Sequence, residues 1–135
     1  MIFREAKQSD MDFMRDHSIN QTVDRKQTEQ VDYVYALEHD GNLLGIGGFR
    51  IIVPTTAWVW VDLSDYGVSH IRDSYRVMQE WMETFVNTHG IIRLQAFVKS
   101  DVKHIRLVQH MGFERESTME MFYGDQDAFM YKRIF

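Results

Sequence analysis

Apolar residues in the middle of the chain recur every three or four positions, which is the period of a helix with one buried face. These residues are Ile71, Tyr75, Met78, Met82 and Phe85. Gly90 predicts the end of this helix, because glycine readily adopts the left-handed conformation found just past a helix. A second helix is predicted from a cap at Ser100 or Asp101 to Gly112, after which Phe113 returns to the core.

Alternating apolar and polar positions predict the strands. Tyr33 to Glu38 and Leu43 to Val53 show this alternation on either side of Asp40-Gly41-Asn42, which has the composition of a hairpin turn. The glycines within the second of these strands suggest a bulge or a close backbone approach. Trp58 to Val61 continues the meander, and Ile91 to Val98 follows the long helix as a further strand.

The two ends of the chain complete the order of elements. Met1 to Glu5 predicts a short strand, and Ser9 predicts the N-cap of a first helix. Ser18 to Gln30 is polar and predicts a second short helix or a mobile loop. The last strands are expected near Glu116 to Tyr123 and Ala128 to Phe135. The resulting order, β-α-α-β-β-β-α-β-α-β-β, predicts an α/β protein with a mixed sheet.

Composition and charge narrow the class of protein. The chain has 135 residues, no cysteine and a formal net charge of −5. Because no repeat or linker interrupts it, we expect one domain, residues 1–135. We predict no metal, because thiolate ligands are absent and the histidines lack ligand spacing. The negative charge argues against a nucleic-acid partner. No apolar run reaches the roughly 18 residues of a membrane helix, so we expect a cytoplasmic protein without a membrane partner.

The segment DVKHIRLVQHMGF, Asp101 to Phe113, resembles the last helix and following strand of the GNAT N-acetyltransferases. Its Gly112-Phe113 step matches the family's exit from that helix, and the order of elements resembles the family over nearly the whole chain. Asp101 stands where an Asn is usual, and Val108 stands where a Tyr is usual. The resemblance implies a single-domain GNAT-like fold, acetyl-CoA as the cofactor and an amine as the acceptor. The acceptor's identity and the oligomeric state stay open.

The family's cofactor loop, R/Q-x-x-G-x-G/A, surrounds a pyrophosphate with backbone N–H groups. The best match here is Ser64 to Ser69, whose end residues replace the long polar and second small residues of the pattern. Asp62 and Asp65 add negative charge beside this loop, and an alternative alignment at His70 to Tyr75 contains no glycine. The residues that the resemblance assigns to the cofactor are Trp60, Val61, Gly67, Val68, Ser69, Asp101 and His104.

Acetyl transfer to an amine needs a base to take a proton and an acid to protonate the departing thiolate. The candidate bases on or next to the central sheet are Glu38, His39, Asp62 and His70. Asp62 lies at the end of the Trp-rich strand, and His70 carries an imidazole, the side chain that most often serves as a general base. Val108 cannot donate a proton, so Tyr123, Tyr66 or Tyr75 is the candidate acid. Asp62, His70 and the tyrosines also have structural alternatives: a surface acid that caps the next turn, a solvated residue at a helix start, and a half-buried tyrosine.

Two functions follow from the resemblance. The first is an acetyl-CoA-dependent N-acetyltransferase. The second is a non-catalytic GNAT-fold protein that binds a protein partner, because the second half of the chain, including His104 to Leu107, also resembles small internal virion proteins of short-tailed phages. That resemblance implies a location in the virion or the host cytoplasm. A locally basic segment could contact CoA phosphates or an acidic partner, or form a solvated helix face; its residues are Lys99, Lys103, His104, Arg106, His110 and Arg115.

Overall fold

The computed structural model describes residues 2–19 and 33–135. Within them, the elements in chain order are β1 (Phe3–Glu5), α1 (Gln8–His17), β2 (Tyr33–His39), β3 (Asn42–Val53), β4 (Thr56–Leu63), α2 (Asp65–Ser69), α3 (Ile71–His89), β5 (Arg93–Lys99), α4 (Val102–His110), β6 (Glu114–Met119) and β7 (Ala128–Ile134). The strands form a mixed seven-stranded sheet in the order β1-β2-β3-β4-β5-β7-β6. The predicted α/β class is therefore confirmed.

The elements differ from the sequence-based prediction at several of their boundaries. Helix α1 begins at Gln8, so the prediction of Ser9 as its N-cap is wrong; Lys7 precedes the helix, and its backbone N–H donates to the Asp10 carboxylate at 2.7 Å. Strand β6 ends at Met119 because the chain turns there. The short helix α2 was not predicted. The predicted helix or loop at Ser18 to Gln30 lies, beyond Ile19, outside the described residues.

The contacts divide the chain into two compact units, which are Met1–Arg50 with Val59–Phe85 and Ile51–Trp58 with Val86–Phe135. In the first unit, two adjacent glycines of β3 leave room for tryptophan rings on opposite faces of the strand. A Cβ at Gly47 would lie 2.4 Å from the Trp81 ring, and a Cβ at Gly48 would lie 2.5 Å from the Trp60 indole nitrogen. The predicted close approach at these glycines is therefore confirmed.

In the second unit, β5 pairs antiparallel with β7 along its whole length, and β7 pairs antiparallel with β6. Strands β4 and β5 run parallel and pair from Thr56 to Trp58. Helix α4 follows β5 and is bounded as predicted: Asp101 is its N-cap, and Gly112 follows it with a φ of +86°. A parallel pair needs a crossover connection, and α3 supplies it.

Candidate functional site

The segment after β4 is a short helical turn with a buried cap. Ser64 is fully buried, and its hydroxyl accepts the Gly67 backbone N–H at 3.0 Å while donating to the Leu43 carbonyl at 2.7 Å. Three further N–H groups of this segment have acceptors: Ser64 N–H donates to the Leu44 carbonyl, Tyr66 N–H to the Asp65 carboxylate and Val68 N–H to the Ser64 carbonyl. Four backbone donors of the predicted cofactor loop are therefore already used within the protein.

Gly67 is required by packing inside the protein. A Cβ at this residue would lie 2.0 Å from the carbonyl oxygen of Leu44, so α2 could not approach β3 with any larger residue. On its other side, the Gly67 carbonyl accepts the buried Ser74 hydroxyl at 2.7 Å. Together with the used N–H groups, this arrangement does not fit a pyrophosphate cradle at Ser64 to Ser69, because a cradle needs donors that are directed outward.

Asp62 lies at the end of β4 and is 3% exposed. Its Oδ1 accepts the Ser18 hydroxyl at 2.7 Å, and Ser18 also forms a β-bridge with Ser64. The carboxylate therefore ties the residue that follows α1 to the end of β4. This burial rules out the alternative of a surface acid, while the role of Asp62 as a base stays a prediction.

His70, another candidate base, lies between α2 and α3 at the surface. Its Nδ1 is 3.0 Å from the Tyr66 carbonyl oxygen, and its ring stacks on the Tyr66 ring with 4.0 Å between centroids. Nearby, the His17 imidazole lies 3.3 Å from the Asp65 carboxylate, and this hydrogen bond holds the pKa of Asp65 below its usual value. Asp65 therefore keeps its negative charge within the predicted cofactor loop.

The remaining residues predicted near β4 and α2 differ in exposure. Trp60 packs its indole over Gly48, and Val61 follows it as a half-buried residue. Val68 and Ser69 are exposed, and the Ser69 hydroxyl donates to the backbone of α2 at 2.9 Å. Of these four side chains, only Val68 and Ser69 face solvent on the segment where the resemblance implies a cofactor.

In the second unit, Asp101 and His104 form a close pair at the start of α4. One carboxylate oxygen of Asp101 accepts the His104 backbone N–H at 3.0 Å, and the other lies 2.6 Å from Nδ1 of the imidazole. Burial disfavours the charged carboxylate, but the two hydrogen bonds from His104 outweigh burial and lower the pKa of Asp101. An ionised Asp101 orients the imidazole through Nδ1. Val108 follows one turn later and offers no hydroxyl.

Tyr123, a candidate acid, lies in the turn between β6 and β7. Burial raises the pKa of its phenol, and the Lys99 ammonium lies 5.4 Å from its ring centroid. Asp62, Gly67 and His70 belong to the first unit. Asp101, His104 and Tyr123 belong to the second.

The first unit contains an ion-pair network that no local sequence pattern predicts. Arg4 donates to both oxygens of Asp10, at 2.8 and 2.9 Å, and to Glu38 at 2.7 Å. The hydrogen bond from Arg4 lowers the pKa of Asp10. These three side chains, with Asn42 and Tyr66 among others, line a cavity of about 300 Å³. Arg4 and Glu38 are 34 positions apart, so no local pattern could have revealed their contact.

No three or more His, Cys, Asp or Glu side chains within residues 2–19 and 33–135 are grouped to hold a metal ion. Among the helices in that part of the chain, none is long and apolar enough to cross a membrane.

Comparisons with known proteins identify the fold through structure alone. No protein-family model and no curated protein matches the sequence. Ribosomal-protein-alanine N-acetyltransferase from Brucella melitensis is 14% identical with a TM-score of 0.73, and the match covers 100% of both chains. A GNAT family acetyltransferase from Elizabethkingia anophelis, with acetyl-CoA bound, is 8% identical with a TM-score of 0.76, covering 98% of this chain and 97% of its own. A spermidine N-acetyltransferase variant from Vibrio cholerae is 12% identical with a TM-score of 0.77, covering 98% and 92%.

Proposed function

We propose that this chain, which has the GNAT N-acetyltransferase fold, acts by binding a protein partner and does not transfer acetyl groups from acetyl-CoA. The observation that carries the proposal is the closed segment from Ser64 to Ser69. Its backbone donors are used internally, and Gly67 is explained by its contact with Leu44. The resemblance to small internal virion proteins supports a phage-particle or host protein as the partner.

Electrostatics favour the same conclusion. A pyrophosphate is stabilised by N–H groups that point at it and by positive potential. The segment carries instead the ionised Asp65, whose low pKa is maintained by His17. A negative group beside the ligand opposes binding of a polyanion, and its effect adds to the loss of the four donors.

Calorimetric titration with acetyl-CoA and with CoA tests the proposal. We expect no heat of binding up to millimolar ligand, and no thiol release when acetyl-CoA is mixed with the chain and a set of amines. The acetyltransferase from Elizabethkingia anophelis, titrated in parallel, serves as the positive control. Micromolar binding of acetyl-CoA together with thiol release that depends on an amine would refute the proposal.

A second candidate function is N-acetyl transfer, and one observation favours it. The Asp101–His104 pair presents an oriented imidazole one helical turn before Val108, where the family's Tyr is usual. If the chain were an acetyltransferase, His104→Ala would abolish thiol release while His110→Ala, in the last turn of the same helix, would keep it. The absence of thiol release from the unaltered chain would eliminate this candidate.

A further inference from the structure

A largely exposed aromatic surface lies on the second unit. It consists of the half-buried Trp58 and the exposed Phe97, Met121, Phe122 and Tyr123, and we call it the aromatic tip surface. Adjacent ring centroids are separated by 4.2 Å from Trp58 to Phe97, 5.0 Å from Phe97 to Phe122 and 5.0 Å from Phe122 to Tyr123. Met121 is 62% exposed and Phe122 is 49% exposed. A contiguous exposed apolar surface of this kind typically marks a binding site.

The turn that carries this surface is held in a specific and costly conformation. Met121 has a φ of +56°, in the left-handed region that non-glycine residues avoid. Its N–H donates to the Asp127 carboxylate at 3.0 Å, and its carbonyl accepts the Gly124 N–H at 3.0 Å. The backbone is therefore fixed so that a large apolar side chain projects into solvent. An exposed side chain contributes little to folding, so the strained conformation of Met121 indicates a role in binding.

The charge around the surface indicates the chemistry of the partner. The segment from Met119 to Asp127, MEMFYGDQD, contains three acidic residues and no basic one. Glu120 and Asp125 are exposed. The Lys99 ammonium, 5.4 Å from the Tyr123 ring centroid, shows that a cation can lie over these rings. The three acidic residues of the turn outweigh the single charge of Lys99, so two copies of the chain would bring net negative charges together at this surface, which disfavours self-association.

We infer that the aromatic tip surface docks a basic segment of a partner protein, in which Lys or Arg residues alternate with apolar ones. The inference rests on the proposed function and specifies the partner's chemistry. The rings supply apolar area and cation–π contacts, while Glu120 and Asp125 attract the positive charge. Aromatic side chains at the centre of such a surface carry most of the binding energy in protein interfaces.

The test uses the full chain and two labelled synthetic peptides of equal length, one of Lys and Leu and one of Glu and Leu in the same order. Fluorescence anisotropy should show that the Lys peptide binds at least about tenfold more tightly than the Glu peptide. Phe122→Ala should weaken its binding about tenfold. Val102→Ala is the control, because Val102 is likewise an exposed apolar residue, at 62%, but lies on α4. Equal losses in the two variants would overturn the inference.

Three further variants, one of them a control, distinguish this surface from general attraction between unlike charges. Asp125→Asn should weaken binding of the Lys peptide more than Asp16→Asn, which removes the same charge from α1. Met121→Gly should raise the melting temperature by about 3 °C, because glycine tolerates the left-handed conformation. The same substitution removes an apolar side chain from the surface and should weaken binding of the Lys peptide. Equal effects of Asp125→Asn and Asp16→Asn would overturn the inference, as would unchanged peptide binding by Met121→Gly.

Sedimentation and the acetyl-CoA titration separate the remaining outcomes. A dimer that Phe122→Ala dissociates would mean that a second copy occupies the surface, and would overturn the inference. Acetyl-CoA turnover with intact discrimination between the peptides would refute the proposed function and support the docking surface. Absence of both acetyl-CoA binding and peptide discrimination would support the proposed function and reject this surface as a site for a basic partner.

Discussion

Replacing Gly67 with alanine separates two explanations of this glycine. If Gly67 were needed only to let the backbone approach a cofactor, alanine would impair cofactor binding and leave folding intact. Because Gly67 lies in a helix, alanine would then even stabilise the fold by about 1 kcal/mol. In the structure, the new Cβ would lie 2.0 Å from the Leu44 carbonyl oxygen, a backbone atom that cannot rotate away. Overpacking of this kind costs about 1–3 kcal/mol, occasionally more. We therefore expect a net destabilisation of about 2 kcal/mol.

Thermal unfolding followed by circular dichroism measures this difference. For a chain of this length, about 2 kcal/mol corresponds to a fall in melting temperature of about 7 °C. Val68→Ala, in the same helical turn but exposed, should change stability by less than about 0.5 kcal/mol. Gly41→Ala, where no atom lies within 4 Å of the new Cβ but φ is +75°, measures the cost of the backbone conformation alone. A Gly67→Ala protein as stable as the unaltered chain would refute the packing explanation.

Substitutions at three other residues test how buried hydrogen bonds and an ion pair stabilise the first unit. Ser64→Ala removes the buried cap of α2, and urea unfolding should show a loss of about 1–2 kcal/mol. Asp62→Ala leaves the Ser18 hydroxyl without its carboxylate acceptor, and urea unfolding should show a loss of about 1–3 kcal/mol in stability. Asp62→Asn keeps an acceptor oxygen and should lose less stability. The hydrogen bond from Arg4 lowers the pKa of Asp10 in the folded protein. The ionised carboxylate therefore stabilises the fold fully above about pH 4, which is the pKa of Asp in the unfolded chain. This stabilisation is lost as the pH falls through the lower pKa of Asp10 in the folded protein. Urea unfolding at a series of acidic pH values should therefore show a smaller loss of stability for Asp10→Asn than for the unaltered chain, and parallel acid profiles would contradict this assignment.

Much of the fold could be predicted because the signals are local. The apolar period of α3 and its end at Gly90, where φ is +67°, depend on neighbouring residues alone. The same holds for α4 between Asp101 and Gly112. Helix α2 was missed because five residues are too few to show a helical period. The turn at Met121 was missed because a non-glycine residue with positive φ has no sequence signal.

The candidate site was less predictable than the fold. Ser64 to Ser69 matches a cofactor pattern in part, and the residue types alone are compatible with an open loop. The segment is closed to a ligand because it packs on β3. The Ser64 hydroxyl donates to the Leu43 carbonyl of that strand, and the Gly67 backbone packs against the Leu44 carbonyl. A pattern of residue types contains no information about which carbonyl lies beside a glycine.

The sequence by itself determined the class of fold, the long helix and the helix end at Gly112. These follow from periodicity, capping preference and residue identity, which act between near neighbours. Only the tertiary structure decided that Asp62 is buried against Ser18, 44 positions away, and that the glycine at 67 serves packing. Such contacts are fixed by how strands and helices pack, so distance along the chain does not reveal them.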